Sequence, residues 1–248
     1  MIKLEDISIT FGLGTALEKT ALQKVNLDIH SGDFITLIGS NGAGKSTLLN
    51  LLAGELIPDT GKIFFANEDV SHQPLELRAK LISRVFQDPR NGVCEEFTLE
   101  ENLALAIKRG KRRGFSLAVG NSQRNYFKSL LTEAGIGLEN RLTDRVANLS
   151  GGQRQALSLL MATLIPSKLL LLDEHTAALD PKMEKVILAL TQRLITKHQL
   201  TTIMITHSMN QALEMGNRTL IMQQGTILSD LMGEERAKLT PVDLVEFF

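Results

Sequence analysis

Phe34-Ile35-Thr36-Leu37-Ile38-Gly39-Ser40-Asn41-Gly42-Ala43-Gly44-Lys45-Ser46-Thr47 decides how the rest of the chain is read. A short apolar run enters a glycine cluster, and Leu48, Leu49, Leu51 and Leu52 then recur at helical spacing. Strand, glycine-rich turn and helix in that order open an α/β unit. Gly39 to Ser46 fits G-x-x-x-x-G-K-[ST], and the chemistry asks for these residue types. Glycines let successive backbone N–H groups turn inward around an anion. Lys45 places a point charge on the β- and γ-phosphates of a nucleotide, and the positive end of the following helix adds to it. The Ser46 hydroxyl can ligate Mg2+, and Thr47 can reach the α-phosphate region. The pattern predicts a nucleoside triphosphate site.

Upstream, Ile2 to Phe11 and Leu22 to Ile29 alternate apolar and polar residues, as strands of a half-buried antiparallel sheet do. Downstream, Lys62 to Ala66 and Ile82 to Phe86 read as strands. From Asp88 to about Ile165 the pattern is helical, with Thr98-Leu99-Glu100-Glu101 as a capping-box start. Buried-type strands follow at Lys168 to Asp173 and Thr201 to Thr206, separated by a helix from Pro181 to Thr196. Arg218 to Gln223 and Thr226 to Leu231 form a hairpin around Gly225. The expected division is an α/β core at 1–87 and 166–248, interrupted by a helical subdomain at 88–165. An insertion of about 75 residues is too large for a loop.

Totals exclude several classes. The 248 residues carry 27 Lys+Arg against 28 Asp+Glu, a net charge of -1 that gives no bulk attraction to nucleic acid or anionic membrane. With no Trp and one Tyr there is little material for a single-strand stacking platform. The single cysteine, Cys94, excludes a disulfide framework and a multi-thiolate zinc site. No apolar run approaches the roughly 18 residues of a transmembrane helix, and no signal peptide opens the chain. These features predict a soluble intracellular protein whose membrane role, if it has one, comes through a partner.

A phosphate cradle alone does not separate a kinase, a GTPase and a transport ATPase. Leu149-Ser150-Gly151-Gly152-Gln153 does. Ser150 is placed as an N-cap, two glycines leave backbone N–H groups uncovered, and an amphipathic helix follows, giving a second helix N-terminus suited to an anion. A plain cap accounts for Ser150 but leaves the paired glycines and Gln153 unexplained.

At this point the sequence resembles the ABC ATPase family, whose signature is LSGGQ, over essentially the whole chain. Leu169 to Glu174 resembles the Walker B strand with its catalytic glutamate, and Ala178-Leu179-Asp180 the D-loop. Gln87 is similar to the Q-loop glutamine, His207 to the switch histidine, and Phe11 to the adenine-stacking aromatic. The fold implied is a P-loop NTPase (RecA-like) core with an N-terminal antiparallel β subdomain and an inserted helical subdomain. Asp173 at a strand end would hold Mg2+ through water, with Ser46 and Gln87 as further ligands. Glu174 would orient and deprotonate the attacking water.

The resemblance implies that one copy carries half of each site. Phe11, Gly39 to Thr47, Gln87, Asp173, Glu174 and His207 would grip ATP with Mg2+. Ser150, Gly151 and Gly152 of a second copy would close over the γ-phosphate, with Gln153 also among the nucleotide-binding residues and Asp180 at the seam. The implied partners are a second copy, a membrane permease subunit and an extracellular or periplasmic substrate-binding protein, with no nucleic acid. The protein would sit in the cytoplasm against the inner face of the membrane. The groove beside Gln87, with Arg90, Asn91, Gly92, Val93 and Cys94, is where the family receives a coupling helix; Cys94 needs only to be a small apolar contact. The basic run Lys108, Arg109, Lys111, Arg112 and Arg113 reads as a solvated loop.

Three positions depart from common family usage: Ala156 and Met161 stand where arginine is frequent, and His175 replaces the proline after the catalytic glutamate. The string Asp173 to Pro181 is similar to a bacterial branch of amino-acid-type importers. The function implied is an ATP-hydrolysing subunit that powers such an importer. The competing reading is a soluble ABC ATPase of DNA repair or translation; its usual long heptad insertions or paired cassettes are missing. A small-molecule P-loop kinase fails to explain Leu149 to Gln153.

Overall fold

The computed structural model describes residues 1–111 and 119–247. Arg112 and Arg113 of the basic run lie outside the described residues. In chain order the elements are β1 (Ile2–Phe11), β2 (Lys19–Ile29), β3 (Phe34–Gly39), α1 (Lys45–Ala53), β4 (Thr60–Phe65), β5 (Glu68–Asp69), α2 (Leu75–Leu81), β6 (Ile82–Val85), α3 (Leu99–Ile107), α4 (Asn121–Ala134) and α5 (Gly151–Thr163). They continue with β7 (Leu169–Asp173), α6 (Pro181–His198), β8 (Thr202–Ile205), α7 (Met209–Glu214), β9 (Arg218–Gln223), β10 (Thr226–Met232), α8 (Gly233–Ala237) and α9 (Pro241–Val245). The chain forms two compact units: one of Met1–Ile82, Lys168–Glu174 and Gln199 onward, the other of Ser83–Ser167 and His175–His198.

The first unit contains an antiparallel sheet in the order β2-β1-β4-β5. Ile2 and Leu4 are buried at a spacing of two, and Ile7 and Ile9 again at a spacing of two. Between the pairs the register shifts at Asp6, whose φ of +49 changes the phase of the alternation so that all four are buried. Beside it, β9, β3, β8 and β7 run parallel in that order, with β10 antiparallel on the edge. Every residue of β3 is buried, as a strand covered on both faces requires. Ile35 and Leu37 join Leu48, Leu49, Leu51 and Leu52 of α1, Leu171 of β7 and Ile203 of β8 in one apolar core that also takes in the antiparallel sheet.

Three elements are not visible in the sequence pattern, β5, α2 and α7. Helix α2 is held by a side chain rather than by a stripe: Arg78 is 1% exposed and donates to the carbonyls of Leu52 and Val70, with its guanidinium over the Phe65 ring. A cation at Leu52 also complements the carbonyl end of α1, the helix that follows the phosphate cradle. Burial pulls the Arg78 pKa down to about 10.

In the second unit, Leu99 and Leu103 of α3, Phe127 and Leu131 of α4, Leu157 and Leu160 of α5 and Ile187 of α6 are buried. The capping box expected at Thr98 is present, its hydroxyl accepting from the Glu101 N–H while the Glu101 carboxylate accepts from the Thr98 N–H. Arg124 of α4 reaches Glu100 of α3 at 2.7 Å. One expectation is overturned: Arg109 is not part of a solvated loop. Its guanidinium turns inward and donates to Ser83 Oγ and the carbonyls of Ala162 and Ile165, and burial lowers its pKa. The carbonyls of the last turn of α5 and of the residues just after it supply the reason, since a helix end leaves them in need of donors.

Candidate active site

Strand β3 ends at Gly39 because the chain must turn there under close approach: a Cβ on Gly39 would stand 2.5 Å from the Met222 carbonyl oxygen of β9. Gly44, at φ +102, precedes α1 in a left-handed conformation, and a Cβ there would meet the Ala21 carbonyl at 2.6 Å. Helix α1 has no side-chain N-cap. Its first-turn N–H groups, which a helix cannot satisfy internally, therefore open onto a pocket of about 210 Å3. Phe11, Lys19, Ala21, Asn41 to Thr47 and Glu174 line that pocket.

Lys45 is 6% exposed, and its ammonium donates to the carbonyls of Gly39 (2.7 Å) and Ser40 (3.0 Å). Burial lowers its pKa, while the carboxylates of Glu174 and Asp173 act in the opposite sense. Those two carboxylates therefore lie within electrostatic reach of the cradle's cation. Asp173 ends β7 in register with Ile205 of β8. Glu174 follows at φ +44, a left-handed conformation that costs a non-glycine residue on the order of 1–3 kcal/mol. The turn carries the Glu174 carboxylate to 2.7 Å from His207 Nε2.

His207 itself sits in a braced turn after β8. The Thr206 hydroxyl donates to Gln211 Oε1 and accepts from the Ser208 N–H, while the Ser208 hydroxyl N-caps α7. Phe11 ends β1, is 44% exposed and lines the same pocket as the phosphate loop. The structure thus brings together in the first unit Phe11, the Gly39 to Thr47 loop, Asp173, Glu174 and His207. Sequence reasoning missed Lys19 and Ala21; the signal was the hairpin register, in which Lys19 stands opposite Phe11.

The remaining expected residues lie in the second unit. Gln87 is exposed just beyond β6, next to Phe86, whose carbonyl accepts from Gln155 Nε2. Cys94 is half-buried and its backbone is clasped by Asn102, which accepts from its N–H at 2.8 Å and donates to its carbonyl at 2.9 Å. Ser150 caps α5: its hydroxyl accepts from the Gln153 N–H, and Gln153 Oε1 accepts in return from the Ser150 N–H. That reciprocal capping box explains Gln153, which a plain cap did not. The two glycines have different reasons. A Cβ on Gly152 would collide with Met183, whereas one on Gly151 would meet nothing within 4 Å. Asp180 accepts from the N–H groups of Lys182 and Met183 and so caps the start of α6.

His175, next to Glu174 in sequence, is 2% exposed with Nε2 at 3.0 Å from the Thr191 hydroxyl. Burial pushes its pKa down to about 4 from 6.5. Between these two values the unfolded chain binds a proton that the folded chain excludes, so stability falls as pH drops through that window and is unaffected above it. The loss should approach the order of 3 kcal/mol by pH 4. His175→Gln keeps a hydrogen-bonding group and removes the titration, so its urea midpoint should fall less between pH 7 and 4.5 than the wild type's; equal falls would refute the assignment.

Against known proteins the pattern has a clear counterpart. The ABC transporter family model matches residues 22–177. The "Tyrosine transport ATP-binding protein" of Clostridioides difficile (strain R20291) is 37% identical over 248 residues, covering 100% of this chain and 98% of that protein. The "Energy-coupling factor transporter ATP-binding protein EcfA2" of Clostridium tetani (strain Massachusetts / E88) is 32% identical, covering 99% and 83%. Among solved structures, the ATP-binding cassette MJ0796 bound to ADP and Pi superposes with a TM-score of 0.78 at 27% identity, covering 94% of this chain and 98% of that one. The chain belongs to the ABC transporter family as an ATP-binding, ATP-hydrolysing cassette. Among the described residues, no helix is long and apolar enough to cross a membrane.

Proposed function

We propose that this cassette powers a bacterial importer for amino acids, closing as a dimer on ATP and reopening on hydrolysis. One observation carries the reading: the buried Lys45 ammonium, the uncapped α1 N-terminus, exposed Phe11 and the Glu174–His207 pair converge on one pocket. Base stacks on Phe11, the loop N–H groups cradle the phosphates, and Lys45 meets the β- and γ-phosphates. Glu174 takes the proton of the attacking water, and His207 contacts the γ-phosphate. Catalysis is positioning plus charge stabilisation of an in-line transfer to water.

The donors at the cradle, the Ser46 hydroxyl and the Asp173 carboxylate, are hard oxygens of the kind Mg2+ takes alongside phosphate and water. When bound, Mg2+ would neutralise charge developing on the phosphates. Ser150, Gly151 and Gly152 of a second copy cover the γ-phosphate, which fits the open space beyond Gly151. Gln87, Gln153 and Asp180 are assigned to the nucleotide and the dimer seam on the family resemblance, as is the helical subdomain at 88–165.

The permease subunit, the membrane-peripheral location and the amino-acid substrate follow the same reading; the full-length relative named for tyrosine transport makes tyrosine the first substrate to test. Proteoliposomes holding the permease subunit that this cassette binds, supplied with this cassette, ATP and the capture protein that serves that permease, should accumulate labelled tyrosine or another amino acid. Uptake that ignores ATP, or transport of only non-amino-acid solutes, overturns the substrate proposal.

A further inference from the structure

Lys19 stands opposite Phe11 across the β1–β2 hairpin and lines the same pocket as the phosphate loop. Its Nζ lies 3.5 Å from where a Cβ on Gly42 would be, so its ammonium rests over the loop's backbone. Among the described residues its ammonium has no carboxylate partner. Lys45 is buried beneath the loop with its donors on Gly39 and Ser40, whereas Lys19 approaches from the neighbouring sheet and is exposed. The pocket thus carries two cations from two elements, and sequence motifs account for one.

We infer that Lys19 is a second nucleotide-binding cation that contacts the α-phosphate. This rests on the reading that ATP occupies this pocket with its base on Phe11. A nucleotide laid that way runs from base to ribose to α-phosphate before reaching the β- and γ-phosphates at Lys45. Lys19 is paired with the residue under the base and sits over Gly42, so it serves the base-proximal end of the phosphate chain. An ammonium on a phosphate oxygen forms a charge-assisted hydrogen bond, stronger than a neutral one. Gly42 is part of the same design: without a side chain there, loop and ammonium share one narrow approach to the ligand.

The contact is made to a phosphate that ATP and ADP have in common. Lys19 therefore contributes equally to ATP and ADP, while Lys45, on the β- and γ-phosphates, contributes to both and more to ATP. Lys19→Gln should weaken ATP and ADP binding by the same factor, roughly tenfold. Lys19→Arg should restore most of it, because the guanidinium keeps the charge and donors.

The test is calorimetric titration of the full chain with ATP and with ADP, each with Mg2+, for wild type, Lys19→Gln, Lys19→Arg and Lys45→Ala, with thermal melts to confirm folding. Equal loss for both nucleotides in Lys19→Gln, with rescue by Arg, supports the assignment. Unchanged binding in Lys19→Gln beside a strong loss in Lys45→Ala overturns the Lys19 role and leaves the pocket reading standing. Loss confined to ATP moves Lys19 to the γ-phosphate and overturns the α-phosphate assignment. Wild-type binding by Lys45→Ala removes nucleotide from this pocket and defeats both.

Discussion

Glu174→Gln is expected to bind ATP as tightly as wild type and to hydrolyse it about 10²- to 10⁴-fold more slowly, the range general-base catalysis supplies. The substitution is nearly isosteric and keeps an oxygen where His207 Nε2 now sits at 2.7 Å. What it removes is the ability to accept a proton from water. The position argues for that role independently of any motif. Glu174 holds a left-handed backbone at φ +44 at the end of a buried strand, and the conformation delivers its carboxylate into the phosphate pocket. Strain of this kind persists where surrounding structure over-determines it, and here β7 in register with β8 fixes the turn. Phosphate release under single turnover measures chemistry, and equilibrium titration measures binding. Wild-type turnover would sink the general-base assignment, and lost binding would show that Glu174 shapes the pocket instead.

The parts of the site that sequence disclosed are those built from residues adjacent in the chain. Gly39 to Thr47 works through consecutive backbone N–H groups, so its residue types stand together and are legible at once. Ser150 to Gln153 is equally local, a capping box with two glycines. The strands β3 and β7 are short buried runs that composition marks plainly. What stayed hidden depends on pairing across distance. Lys19 enters the pocket only because the hairpin register sets it beside Phe11. Arg78 and Arg109 look like surface cations in sequence, yet each turns inward to donate to carbonyls near helix ends. A guanidinium carries five donors, and whether they meet water or backbone is decided by tertiary packing. His175 shows the same limit: its departure from proline was visible, but its buried partner Thr191 is 16 residues on.

In a Glu174→Gln background, ATP should hold two copies together, because nucleotide bound without turnover keeps the closed state populated. Adding Ser150→Asp should break that dimer while leaving ATP binding to each copy intact. Aspartate is as good an N-cap as serine, so α5 keeps its start and the fold is spared. The carboxylate instead places a negative charge at an exposed helix N-terminus that the composite-site reading sets against the partner's γ-phosphate. Like charges at such a seam cost several kcal/mol, enough to weaken association about 100-fold or more. Ser150→Asn, a neutral cap, should dimerise far better than Ser150→Asp. Sedimentation with ATP reads the dimer, and nucleotide titration of dilute protein reads the monomer site. A Ser150→Asp protein that still dimerises would remove the signature from the partner's phosphate. One that loses ATP in the monomer would place Ser150 in the same copy's site, and the shared-site mechanism would fail with it.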